Sequence, residues 1–185
     1  MLGRAFADDP AMRFIFPDAA DRARRLPRLF ALLFDSDAAA GMRLLTNGGE
    51  AATLWRGPGR ARVSRWEMLR RLPGLLHALG PNLSRAMRVG DAIDAHMPAG
   101  DVWYLHVAGC DPVHQGRGFG AATVRAGLLR AAGRLPACLE TATERNIGFY
   151  TGLGFRVTGE WLVPRSDLRF WSMLRQPNTV LSTAN

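Results

Sequence analysis

The sequence contains no lysine: all 24 basic side chains among its 185 residues are arginine. That absence removes the phosphate-binding lysine of P-loop enzymes and all Schiff-base chemistry. Cysteine is scarce as well, with only Cys110 and Cys138, too few for a disulfide framework and without metal-ligand spacing. Both fall in apolar stretches, where cysteine packs as a small hydrophobe. The histidines (His77, His96, His106 and His114) show no ligand spacing either, so no metal is expected. Apolar runs stop well short of the roughly 20 residues of a membrane span. Arg4, Asp8 and Asp9 interrupt the N-terminus where a signal peptide would be apolar. A cytoplasmic protein with no membrane partner is the expectation.

What is present is a chain with material for one core. Hydrophobic residues make up 48% and charged residues 22%, a balance that argues against disorder and for a single domain. We expect that domain to cover residues 1–176, with 177–185 as a C-terminal tail. The net charge of +8 raises nucleic acid as a partner. The arginines, however, are scattered over several predicted helices and do not interleave with aromatics, so no nucleic-acid surface is expected.

Periodicity predicts a helical turn broken at Asp9-Pro10 and a helix over about 20–40, with Leu26, Leu29, Phe30, Leu33 and Phe34 on one face. Pro27 should start or kink that helix. Strands near Met42–Thr46 and Ala51–Trp55 flank Asn47-Gly48-Gly49, a hairpin signal. Residues 64–97 read as helix in two pieces split at Gly80-Pro81, and Trp66, Leu69, Leu72 and Leu76 form an apolar stripe expected to face the core. The last third reads as a strand over Val102–Cys110, a helix over Gly118–Ala132, a strand over Ala137–Thr141, and a short helix over Glu144–Leu153 that Thr143 could cap. A terminal strand pair follows. This order implies an α+β fold, a mixed sheet flanked by helices.

Between the first of those strands and its helix lies Gln115-Gly116-Arg117-Gly118-Phe119-Gly120. Glycines permit a tight turn and close approach of a ligand to the main chain, and amides opening a helix bind anions. Two cofactor readings compete. Gly116-x-Gly118-x-x-Ala121 matches the dinucleotide fingerprint, with Glu140 near the place of its ribose-binding acid. Against it, five residues intervene between strand and glycines, and too little chain follows for the remaining parallel strands.

The second reading rests on the surrounding motifs. Gln115-Gly116-x-Gly118-x-Gly120, then Leu139-Glu140-Thr141, Asn146-Ile147-Gly148-Phe149-Tyr150 and Leu153-Gly154-Phe155, resemble motifs A and B of the GNAT N-acetyltransferases. Further stretches, including Leu2–Pro10 and Phe170–Met173, are similar to the puromycin N-acetyltransferase branch. The resemblance implies acetyl-CoA as cosubstrate, its pyrophosphate on the amides of Gly116, Arg117, Gly118, Phe119, Gly120 and Ala121. The pantetheine arm would lie along the backbone of Ala108, Gly109 and Cys110, and Asn146 would contact the cofactor. Tyr150, which shares a helix face with Asn146, would be the general acid.

An attacking amine must be neutral, and Glu140 and His106 are the candidate bases, Glu140 alternatively anchoring the amine. His77, His96 and His114 are expected at the solvent. Family members begin with a strand that has no counterpart here, which raises dimerisation, an incomplete chain or a rearranged N-terminus. The expected function is acetyl transfer to a primary amine of a small molecule, bound between the residue 64–97 helices and the strands. A non-catalytic acyl-CoA sensor on the same fold is the alternative.

Overall fold

A computed structural model describes residues 1–131 and 135–177. The expected tail beyond 177 and the end of the helix predicted to Ala132 lie outside the described residues. Three helices open the chain: α1 (Leu2–Ala5), α2 (Pro10–Ile15) and α3 (Ala19–Ala40). Asp9 starts α2 by accepting from the amides of Ala11 and Met12 at 2.9 and 3.1 Å, and Pro10 takes the first helical position, where no N–H is needed. Asp18 caps α3 in the same way through Asp21 at 2.7 Å. Pro27 neither starts α3 nor ends it but lies inside it.

The hairpin follows as β1 (Gly41–Leu45) and β2 (Ala51–Arg56), then α4 (Arg65–Leu79), α5 (Leu83–His96), β3 (Trp103–Cys110), α6 (Phe119–Arg130), β4 (Ala137–Thr141), α7 (Asn146–Thr151), β5 (Arg156–Leu162) and β6 (Arg169–Arg175). These strands make one six-stranded sheet in the order β1-β2-β3-β4-β6-β5. Every pairing is antiparallel except β3 with β4. A dinucleotide fold needs a largely parallel sheet, so this topology removes the dinucleotide reading of the glycine turn. Among the described residues no strand precedes β1.

Helices cover both faces. On one side α1, α2, α3 and α5 bury Leu26, Phe30, Leu54, Val107 and Phe170 in one apolar cluster; on the other, α6 and α7 enclose Trp55, Leu105, Val124, Leu139 and Tyr150. Gly127 lets α6 approach β2 so closely that a Cβ there would lie 2.4 Å from the Trp55 indole.

The apolar stripe of α4 does not face the core. Trp66, Leu69 and Leu76 are half or more exposed and Leu72 is exposed as well. The helix instead turns Gly74, Ala78 and Leu79 inward, with Gly74 admitting Leu32 of α3. In this orientation α4 also supplies the counter-charge of a buried arginine. Glu67, whose amide is capped by Ser64, accepts two bonds from the buried Arg56 at 2.9 Å and pairs with Arg71 at 2.5 Å. A buried guanidinium without such partners would cost several kcal/mol. Among the described residues no helix is long and apolar enough to cross a membrane.

Candidate active site

Where β3 meets β4, the two strands pair only at Trp103–Ala137 and Tyr104–Cys138. β3 then runs on to Cys110, paired with β2 along its other edge. The edge of β3 that faced β4 is therefore left without a ladder partner from His106 to Cys110, and the sheet opens into a cleft there. Unpaired strand edges offer backbone groups to an extended ligand.

The glycine turn stands at the mouth of this cleft. Gly116 and Gly118 have φ of +76° and +84°, left-handed conformations that favour glycine, and a Cβ at either would meet nothing within 4 Å. Gly118 opens α6 without any side-chain cap, and the first backbone bond across the helix start is from the Ala122 amide. The amides of Phe119, Gly120 and Ala121 thus have no intrahelical acceptor, as expected for a first turn, and carry the positive end of the helix dipole. The loop is held from outside. Asp111 pairs with Arg4 of α1, and the Gln115 side chain donates to the Cys110 carbonyl at 3.3 Å.

A cavity of about 450 Å³ joins turn and cleft. Ala108, Gly109, Cys110, Gln115, Gly116, Gly118, Phe119, Gly120 and Ala121 line one side, Asn146 and Tyr150 another, and Ala5, Phe6, Asp8 and Asp9 form its roof. Eleven of the expected residues thus meet in one place. Arg117 does not: its guanidinium stacks over the Phe119 ring, 5.5 Å from the centroid, outside the cavity lining. His114, expected at the solvent, is half-buried and lines the cavity, its Nδ1 buried and without a partner. Cys110 is half-buried in the same wall rather than packed in the core, and burial raises its thiol above the ordinary value. Thr143 is not the cap of α7, whose first turn follows Arg145; its hydroxyl instead donates to Asp9 at 3.4 Å.

Tyr150 is buried against Phe149 and Phe155, with edge-to-face rings. Its hydroxyl makes no hydrogen bond among the described residues. Burial, with a further push from Asp9, raises the phenol well above its ordinary value, so it stays a proton donor through the neutral range. The cradle of open amides, the unfilled space at Gly116 and Gly118 and the free strand edge suit an extended, phosphate-bearing thioester such as acetyl-CoA.

Glu140 and His106, the two candidate bases, lie outside this cavity lining. Glu140 follows the last β3–β4 pair on the same face as Cys138, which packs against Met97, Val102 and Tyr104. Both carboxylate oxygens are buried, and among the described residues the Tyr104 hydroxyl is their one polar neighbour, too poorly placed for a well-formed hydrogen bond. Burial pushes this carboxyl up to about 7; Tyr104 opposes the rise and Asp94 of α5 adds to it. A carboxylate buried with so little compensation costs the fold several kcal/mol.

His106 occupies a β-bulge: Leu54 of β2 faces Val107 and Trp55 faces Leu105, leaving His106 opposite no residue. Bulges re-aim side chains, and here the ring turns so that Nδ1 lies 2.6 Å from Oδ2 of Asp37. Asp37, on α3, is fully buried, and its Oδ1 accepts from Arg56 Nη1 at 3.0 Å. Burial would raise the Asp37 carboxyl, but His106 and then Arg56 outweigh it and hold it below its ordinary value. Neither Asp37 nor Arg56 was among the sequence candidates. His96 is exposed but stacks flat on Trp161, 4.2 Å between centroids. His77 faces solvent. Among the described residues no cluster could hold a metal ion.

The splayed mixed sheet with an uncapped glycine turn at its opening is the fold of the GNAT acetyltransferases, and GNAT acetyltransferases are its structural neighbours. No family model matches the chain. A solved structure described as histone acetyltransferase HPA2 and related acetyltransferase, from Corynebacterium glutamicum, is 26% identical and superposes with a TM-score of 0.70 over 95% of this chain and 87% of that one. Arylalkylamine N-acetyltransferase 2 from Aedes aegypti shares the fold at 10% identity and a TM-score of 0.58, over 96% and 91% of the two chains. The polyamine N-acetyltransferase of Drosophila melanogaster does so at 15% identity and 0.51, over 95% and 90%.

Proposed function

We propose that this chain transfers the acetyl group of acetyl-CoA to a primary amine of a small molecule. The observation that carries the reading is the coincidence, at one opening of the sheet, of helix-start amides without an intrahelical acceptor, a strand edge without a ladder partner and a buried tyrosine whose hydroxyl makes no hydrogen bond among the described residues. The named activities of the fold neighbours, acetylation of arylalkylamines and of polyamines, agree with an amine acceptor. The puromycin-like branch rests on the sequence motifs.

In this reading the amides of Gly116 to Ala121 hold the pyrophosphate, which needs main-chain donors and no lysine. Ala108, Gly109 and Cys110 align the pantetheine arm through their backbone, and Asn146 fixes its end. When bound, acetyl-CoA supplies an activated acetyl carbon: the new N–C bond forms as the C–S bond breaks, and the CoA thiol and one proton are released. Tyr150 Oη gives its proton to the departing sulfur and recovers one from the acylated nitrogen. Glu140, buried just past the last β3–β4 pair, is the counter-ion that draws the ammonium in, with Asp94 of α5 nearby. The protein's main contribution is alignment.

The test is release of CoA thiol on mixing the chain with acetyl-CoA and a panel of aminonucleosides, polyamines, arylalkylamines and peptides. Steady release with at least one small amine is expected. Tight binding of acetyl-CoA with no release across the panel would replace the reading with an acyl-CoA sensor.

A further inference from the structure

Behind the bulge of β3 lies a charge network outside the acetyl-CoA cavity. Arg56 engages all three of its side-chain nitrogens in it. Its Nε donates to the Arg60 carbonyl at 2.8 Å, Nη2 to both Glu67 oxygens, and Nη1 to Oδ1 of Asp37. Guanidinium can only donate, so Oδ1 is committed as an acceptor. That leaves Oδ2, 2.6 Å from His106 Nδ1. An ionised carboxylate also only accepts; the hydrogen between them must therefore belong to the imidazole. In the neutral ring the network dictates the tautomer: Nδ1–H, with Nε2 bare.

The rest of the geometry indicates what a bare Nε2 is for. His106 Nε2 has no hydrogen-bond partner among the described residues, and the side chain is 23% exposed. The groups around the ring are Asp37 on α3, Arg56 on β2, Tyr104 on β3 with its centroid 5.4 Å away, and Asp94 on α5, which lies within electrostatic reach of both His106 and Glu140. Glu67 and Arg71 of α4 stand behind Arg56. A donor whose only task was to satisfy Oδ2 could be buried with Asp37. This one stands on a bulge where β3 has parted from β4, partly exposed, with its second nitrogen free.

We propose that Asp37 is a positioning residue that locks His106 in the Nδ1–H tautomer, and that His106 Nε2 accepts the proton of the incoming ammonium. The proposal rests on the acetyl-transfer reading. The ammonium, held by Glu140, gives one proton to Nε2; the neutral amine then attacks, and the imidazolium passes its proton to solvent. Asp37 keeps its charge throughout and transfers nothing.

The test reads the tautomer directly. In protein labelled with ¹⁵N-histidine, long-range ¹H–¹⁵N spectra should show neutral His106 protonated at Nδ1. In Asp37→Asn the side-chain oxygen must stay toward Arg56, so its NH₂ faces Nδ1 and donates to it, forcing the proton to Nε2. We expect that switch together with a fall in kcat of about 10²–10⁴-fold, the range known for loss of a base or of its correct tautomer. KM for acetyl-CoA should stay within about twofold, since the cofactor cavity is untouched. His106→Gln should lose a similar factor, and the double variant no more.

An Nε2–H tautomer in the wild type, or a switched tautomer in Asp37→Asn with unchanged kcat, overturns the proposal. If Asp37→Asn does not fold, the wild-type tautomer and the kcat of His106→Gln decide, and unchanged kcat in the latter overturns it. Failure of the acetyl-transfer reading looks different: the wild type itself releases no CoA thiol, and the catalytic role of His106 falls with it.

Discussion

Replacing Glu140 by glutamine removes a charge that the fold buries, and the consequence for stability can be worked out from the carboxyl's rise from 4.5 to about 7. Below pH 4.5 the group is protonated in folded and unfolded chains alike and has no effect. Between 4.5 and 7 the unfolded chain gives up the proton while the native state retains it, so stability falls as pH rises. Above 7 the loss is complete. At 1.36 kcal/mol for each pH unit, the burden at neutral pH is about 3 kcal/mol. For a chain of this size each kcal/mol moves the melting temperature by about 2–4 °C. Melting curves of wild type and Glu140→Gln should therefore converge near pH 4.5 and separate by about 6–12 °C at pH 7.5, the variant being the more stable. The same variant should bind the amine more weakly, raising its KM. Parallel melting curves across that range would refute the reasoning, since they would mean that Glu140 is solvated and carries no burial cost.

Arg56→Met leaves Asp37 buried beside an apolar chain and frees Glu67, so we expect a loss of about 3–5 kcal/mol in urea denaturation; an unchanged midpoint would contradict the network. Gly127→Ala gains up to about 1 kcal/mol of helix propensity, but its Cβ would meet the fully buried Trp55 at 2.4 Å. Overpacking of about 1–3 kcal/mol should win, and a higher melting temperature would show that the indole can move. Tyr150→Phe should lower kcat about 10²-fold with acetyl-CoA affinity retained; an unchanged rate removes Tyr150 from the mechanism.

Much of this architecture was readable from the chain because local physics enforces it. Asn47-Gly48-Gly49 between two β-rich runs gives the hairpin, and Gly116 and Gly118 take the positive φ that the turn requires. The motif spacing put Asn146 and Tyr150 on one helix face, and both line the cavity. What the residues could not announce depends on distant partners. Asp37, Arg56 and His106 meet across gaps of 19 and 69 positions, and no local pattern marks a buried aspartate inside an amphipathic helix. The orientation of α4, which leaves its apolar stripe exposed, comes with the pairing of Glu67 to Arg56, a residue of another element. Thr143 was read as a cap from its position alone, while Asp9, far away in sequence, competes for its hydroxyl. Arg117 sits inside the glycine turn yet finds a ring to stack on, which spacing cannot reveal.

The central claim is that main-chain amides at the start of α6 hold the diphosphate of acetyl-CoA. Titrating acetyl-CoA into ¹⁵N-labelled protein while following the backbone amides tests it most directly. The account predicts large, saturable shifts at Gly116, Gly118, Gly120 and Ala121, with Asn146 following and Leu44 and Trp161 still. Saturation that leaves the Gly116–Ala121 amides unmoved would contradict it.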